Sequence, residues 1–130
     1  MKYLNLNENI VAQATASGPG SVDIVRISGE NLVHTYLDIF KAEKGPKPNT
    51  IQRKIFYKHE SNTPIDHCLV SYFKSPLSFT GQDIIEINCH GGGVTAKKII
   101  KEVVKRENTR SALPGEFLFR AYINKKIDLA

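Results

Sequence analysis

Between Pro76 and Gly93 the chain reads PLSFTGQDIIEINCHGGG: a Ser-Phe-Thr-Gly turn, an apolar run carrying Asp83 and Glu86, then Cys89-His90 ahead of three glycines. A carboxylate inside an apolar strand is costly to bury without a partner, so Glu86 needs a cation or a hydrogen-bond donor. Alternation along the strand puts Ile85, Ile87 and Cys89 on one side and Ile84, Glu86 and Asn88 on the other. One face reads as core, the other as a floor for something polar. Arg26, in the run VDIVRIS, lies among apolar neighbours; it is either a strand-end arginine extending its head to water or a ligand contact.

Other chemistry-bearing residues are less specific. His90-Gly91-Gly92-Gly93 could present helix amides to an anion. It matches neither phosphate-loop nor dinucleotide-loop spacing, and a tight turn that needs glycine accounts for it more simply. Cys89 and His90 are adjacent and point to opposite faces, so they form no chelate, and no second Cys/His pair stands at metal spacing. Cys68 and Cys89 are redox partners only if the fold brings them together; otherwise they are buried structural thiols. No nucleophile elbow or catalytic triad is apparent.

These residues need a scaffold, and 130 residues suit a single domain with its own core. The 41% apolar and 24% charged content argues against disorder. A formal net charge of +5 favours an anionic partner only weakly. No apolar run approaches the length of a membrane span, and no signal peptide is evident, so a reduced, cytosolic setting is expected.

In chain order, strands are expected at Asn9–Thr15, Val22–Ser28, Ile51–His59, Pro64–Ser75, the central acidic run and Asn108–Leu113. Residues 16–21 read as a turn. A helix begins around Ser28-Gly29-Glu30-Asn31 and carries Leu32, Tyr36, Leu37 and Phe40. The best helix is Val94–Arg106, with Ile99, Ile100, Val103 and Val104 inward and Lys97, Lys101 and Lys105 along the other side. Pro114-Gly115-Glu116 opens a short helix that Asn124-Lys125-Lys126 closes. Two strand-helix-strand units recur, and the mixture implies an α+β fold, a mostly antiparallel sheet with helices against one face.

Taken together, IVAQAT, IVRISG, SFTG with Asp83, Glu86 with HGG, and PGEF with Arg120-Ala121 and Lys126-Ile127-Asp128-Leu129-Ala130 resemble, in order and across nearly the whole chain, the amino-terminal domain of the MnmE (TrmE) tRNA modification GTPases. Ala16-Ser17 stand where that family usually has two prolines, Asp23 where a small residue is usual, Gln82 where an acid is common and Lys125 where glycine or aspartate is common.

The resemblance implies a fold similar to the folate-binding domain of the glycine-cleavage aminomethyltransferase. It also implies a homodimer and folate contacts at Arg26, Glu86 and Lys126, with the carboxylate reading the pterin and the two cations meeting the anionic tail. The expected cofactor is 5-formyltetrahydrofolate or 5,10-methylenetetrahydrofolate. Residues 1–124 would form the tetrahydrofolate-binding and dimerisation domain and 125–130 the start of a helical domain. GTP, Mg2+ and K+ belong to a G domain outside this sequence, so the chain alone is expected to be inactive as a GTPase. MnmG (GidA) and tRNA are the implied partners, with the wobble uridine as the modified base, and no membrane. Two other readings are a stand-alone basic RNA-binding module, resting on the lysine stripe, and an independent aminomethyltransferase-like folate enzyme, for which Asp83 is the only catalytic candidate.

Overall fold

The structure is a computed structural model that describes residues 5–15 and 22–125. Six strands form one sheet: β1 (Asn9–Gln13), β2 (Val22–Gly29), β3 (Ile51–Tyr57), β4 (Pro64–Phe73), β5 (Asp83–His90) and β6 (Thr109–Ser111), in the order β3-β4-β5-β2-β1-β6. All neighbours pair antiparallel except β1 and β6, which run parallel. Three helices complete the α+β fold: α1 (Val33–Phe40), α2 (Val94–Val103) and α3 (Glu116–Ile123). The expected turn at 16–21 lies outside the described residues.

Strand alternation sorts side chains as the sequence implies. Val25 and Ile27 of β2, with Ile85, Ile87 and Cys89 of β5, join Leu32, Tyr36 and Ile39 from the α1 region and Ala96, Ile99 and Val103 of α2 in one buried cluster. At roughly 25 cal/mol per Å² of apolar surface removed from water, this packing is the main source of stability. Gly29, at the end of β2, permits a close approach: a Cβ there would lie 2.0 Å from the side-chain oxygen of Asn9.

Two expectations need correction. The first helix does not begin at Ser28, because Ser28 and Gly29 stay in the ladder opposite Ile84 and Asp83. The Ser28 hydroxyl, fully buried, is engaged by Thr80 (2.8 Å) and Gln82 (2.9 Å) and cannot cap a helix. Asn31 Oδ1 accepts the N–H of Val33, the first residue of α1 (3.1 Å), and Asp83 on the neighbouring β5 accepts the Leu32 N–H (3.0 Å). The second correction concerns layering. Helices α1 and α2 share one face, but α3 meets Arg26 through Phe117 and Gln82 through Arg120, on the side where Arg26 and Ser28 alternate away from the core. Its fully buried Arg120 and Glu116 supply a polar rather than an apolar contact.

The glycine turn before α2 has a structural role. Gly92 and Gly93 both have positive φ (95° and 88°), a region that side chains with a Cβ adopt only with strain. The Gly93 N–H donates to the fully buried carboxylate of Asp23 (2.8 Å). A negative side chain thus already occupies the positive end of α2.

Candidate functional site

Arg26 and Glu86 face each other directly across the β2–β5 ladder. The guanidinium Nε donates to Glu86 Oε2 at 2.8 Å, and Nη2 lies 2.8 Å from the same oxygen. Both side chains remain about a quarter exposed, 25% and 22%. This is the partner that a carboxylate on this strand requires. Among the described residues, Glu86 Oε1 and Arg26 Nη1 have no hydrogen-bond partner. The pair is formally neutral overall, and it leaves one acceptor and one donor open to a further partner.

Two aromatic rings flank the guanidinium. Its central carbon lies 5.4 Å from the centroid of Phe79 and 5.6 Å from that of Phe117, within cation–π range. The sequence reading missed both residues. Phe79 lies within the Ser-Phe-Thr-Gly block and Phe117 within Pro-Gly-Glu-Phe, but no local periodicity brings two turns so far apart in sequence onto one arginine.

What positions the rings is a buried polar cluster. Glu116 accepts both terminal nitrogens of Arg110 (2.7 Å each), the Leu113 N–H (2.9 Å) and Arg120 Nη2 (3.3 Å). Burial pushes the Glu116 pKa up, but the hydrogen bonds from Arg110 and Leu113 and the charges of both arginines outweigh it and hold it below the usual carboxylate range. Arg120 Nη1 then donates to Gln82 Oε1 (2.9 Å), and Gln82 Nε2 to the Leu6 carbonyl (3.2 Å). Gln82 therefore works through both ends of its amide. Asn124 Nδ2 donates to the Thr80 carbonyl (2.8 Å), fastening the end of α3 to the turn that carries Phe79. Lys126, the third expected contact, lies outside the described residues.

Asp83 is not placed for chemistry. It is buried, and its carboxylate accepts from Leu32 N–H (3.0 Å), the Tyr72 hydroxyl (3.0 Å) and Ser75 N–H (2.9 Å). Burial first, then the bond and charge of Asp83, push the Tyr72 pKa up to about 12. The expected lysine face of α2 is also accounted for: Lys97 and Lys101 are exposed on the helix, and Lys105 pairs with Glu102 at 2.8 Å. Among the described residues no group of three or more His, Cys, Asp or Glu is placed to hold a metal ion, and no helix is long and apolar enough to cross a membrane. His90 instead binds Asp66 through Nδ1 (2.6 Å).

Cys68 and Cys89 come to adjacent strands, one residue beyond the Leu69–Asn88 pair, and both are buried and free. Burial, then the charge of Asp66, pushes their pKa values up to about 12 and about 11. The intact chain should therefore react with iodoacetamide at pH 8 at least ~100-fold more slowly than a free thiol of pKa near 8.5. Rapid alkylation without denaturant would show the thiols to be accessible.

The comparisons with known proteins can now be set beside this geometry. Residues 9–126 match the family model described as the GTP-binding protein TrmE N-terminus. The chain belongs to the TrmE amino-terminal family. It is 45% identical over 130 residues to the tRNA modification GTPase MnmE of Alkaliphilus metalliredigens, a match covering 96% of this chain and 28% of that protein. It is 41% identical over 128 residues to the proteins of the same name from Clostridioides difficile and Pasteurella multocida, covering 96% of this chain and 28% and 27% of theirs. The chain thus corresponds to an amino-terminal domain of a tRNA modification GTPase and spans little more than a quarter of such relatives. The TrmE blocks seen in the sequence converge here: IVRISG and the acidic run supply the ion pair, SFTG and PGEF its aromatic walls.

Proposed function

We propose that this chain is the folate-carrying domain of a tRNA modification GTPase. It binds a one-carbon tetrahydrofolate, 5-formyltetrahydrofolate or 5,10-methylenetetrahydrofolate, at Arg26 and Glu86. The observation that carries the reading is the open edge of the Arg26–Glu86 pair. The pyrimidinone edge of a pterin presents N–H donors beside a carbonyl acceptor. Glu86 Oε1 is suited to accept the N–H groups and Arg26 Nη1 to donate to the carbonyl, so the ligand need not displace the ion pair. Arg26, paired with Glu86, is thus moved in this proposal from the anionic tail, where it was expected with Lys126, to the pterin edge, and the dianionic glutamate tail is left to Lys126.

In this reading the domain supplies the carrier site and holds no general acid or base of its own; Asp83 is engaged three times over by structural hydrogen bonds. The aminomethyl-type modification of the wobble uridine would be carried out in the cytoplasm by a homodimer of the longer protein working with MnmG. GTP hydrolysis, with Mg2+ and K+, would reside in a G domain beyond these residues.

Titration calorimetry with 5-formyltetrahydrofolate tests the proposal, with mass measurement in solution to give the oligomeric state. Glu86→Gln should weaken binding at least tenfold, about 1.4 kcal/mol. An affinity unchanged by that substitution would remove Glu86 from the site.

A further inference from the structure

The geometry points to Phe79 as the residue that selects a flat ring for this site, by stacking on the pyrimidinone half of the pterin. The inference rests on the folate reading above and adds to it a residue and a basis for specificity.

Phe79 is 44% exposed, on a turn that polar contacts hold in place. The Gly81 N–H donates to Ser78 Oγ (3.0 Å), and the Ser75 hydroxyl donates to the Gly81 carbonyl (3.0 Å). The Thr80 hydroxyl lies 2.8 Å from that of Ser28, and the Thr80 carbonyl accepts from Asn124 (2.8 Å). The turn is fixed by polar contacts from β2 and α3, so the ring is not needed to hold it down. An exposed aromatic surface on a rigid mount is what a stacking platform requires.

The ring also adjoins the ion pair. A ligand bonded edge-on to Glu86 Oε1 and Arg26 Nη1 lies close to the plane of the guanidinium, since bidentate hydrogen bonding favours coplanar partners. The central carbon of that guanidinium lies 5.4 Å from the Phe79 ring centroid, so a flat ligand joined to the pair meets an exposed aromatic surface next to it. Phe117, partly buried and 5.6 Å from the same guanidinium carbon, is held on α3 between Glu116 and Arg120. The pyrimidinone half of a pterin stays planar in every reduction state, so reduced folates fit. A saturated or non-planar ring with the same hydrogen-bonding edge would lose the stack.

The test compares wild type, Phe79→Leu, Phe79→Trp and Glu86→Gln for binding of 5-formyltetrahydrofolate and of p-aminobenzoylglutamate, the same molecule without its pterin. Phe79→Leu keeps an apolar side chain of similar volume but no π-face. It should weaken the folate roughly tenfold, leave the fragment's affinity unchanged and hold Tm at the wild-type value, while Phe79→Trp restores binding. Equal losses for folate and fragment, or none for either, would overturn the stacking role while leaving the Glu86 result to stand by itself. Failure of the wild-type chain to bind the folate, or wild-type affinity in Glu86→Gln, would instead bring down the folate reading on which this inference rests.

Discussion

Replacing Glu116 by alanine should destabilise the chain by about 3–5 kcal/mol, the usual consequence of removing one partner from a buried ion pair. Glu116 is fully buried and receives both terminal nitrogens of Arg110 as well as Arg120 Nη2. Without it Arg120, with no exposed surface, keeps only the Gln82 amide and a long 3.4 Å contact to the Asn5 carbonyl. Urea denaturation would read the loss as a lower midpoint, and an unchanged midpoint would refute the role given to the cluster. The same carboxylate gives a pH signature. Its folded pKa is depressed, so its contribution is present above the unfolded value near 4.5 and is lost as pH falls through the lower, folded value. Wild type should therefore lose stability on acidification below about pH 4.5 more steeply than a Glu116→Gln variant.

Asp83→Ala is the second large effect, expected at about 3 kcal/mol or more, because three donors lose one acceptor in the interior. The Leu32 N–H, the Tyr72 hydroxyl and the Ser75 N–H would all be left without it. The substitution also separates two ideas about this domain. If Asp83 is structural, the variant that remains folded at low temperature binds 5-formyltetrahydrofolate with wild-type affinity while its Tm falls. If it served as a catalytic or ligand-contacting acid, affinity or one-carbon transfer would change out of proportion to Tm. Calorimetry and thermal melts on the same preparation distinguish the two.

The roles of these two acids show where sequence reasoning stops. Periodicity assigned the faces of β5 correctly, since a two-residue repeat leaves each side chain only one of two directions. From that came the expectation that Glu86 must have a partner. Its identity depends on register: Arg26 stands opposite Glu86 because β2 and β5 pair antiparallel with Val25 facing Ile87, and a one-residue slip would have put Arg26 among the core residues. Asp83, three residues before Glu86, falls by the same alternation on the side of Ile85 and Ile87, and its charge alone makes it a catalytic candidate. What packing added was its partners, the Leu32 N–H, the Tyr72 hydroxyl and the Ser75 N–H.

The helix start at Ser28 failed for a related reason. A Ser-Gly-Glu-Asn run has local capping chemistry, but a ladder partner and two buried hydroxyl contacts outweighed it. By itself, the sequence determined the strand faces, the α2 stripe, the glycine turn and, through five short blocks, the family. Tertiary structure alone decided the partner of each acid, and that Phe79 and Phe117 both come within cation–π range of Arg26. Local pattern fixes the direction in which a side chain points, whereas its partner is set by strand pairing and by contacts between residues far apart in the chain.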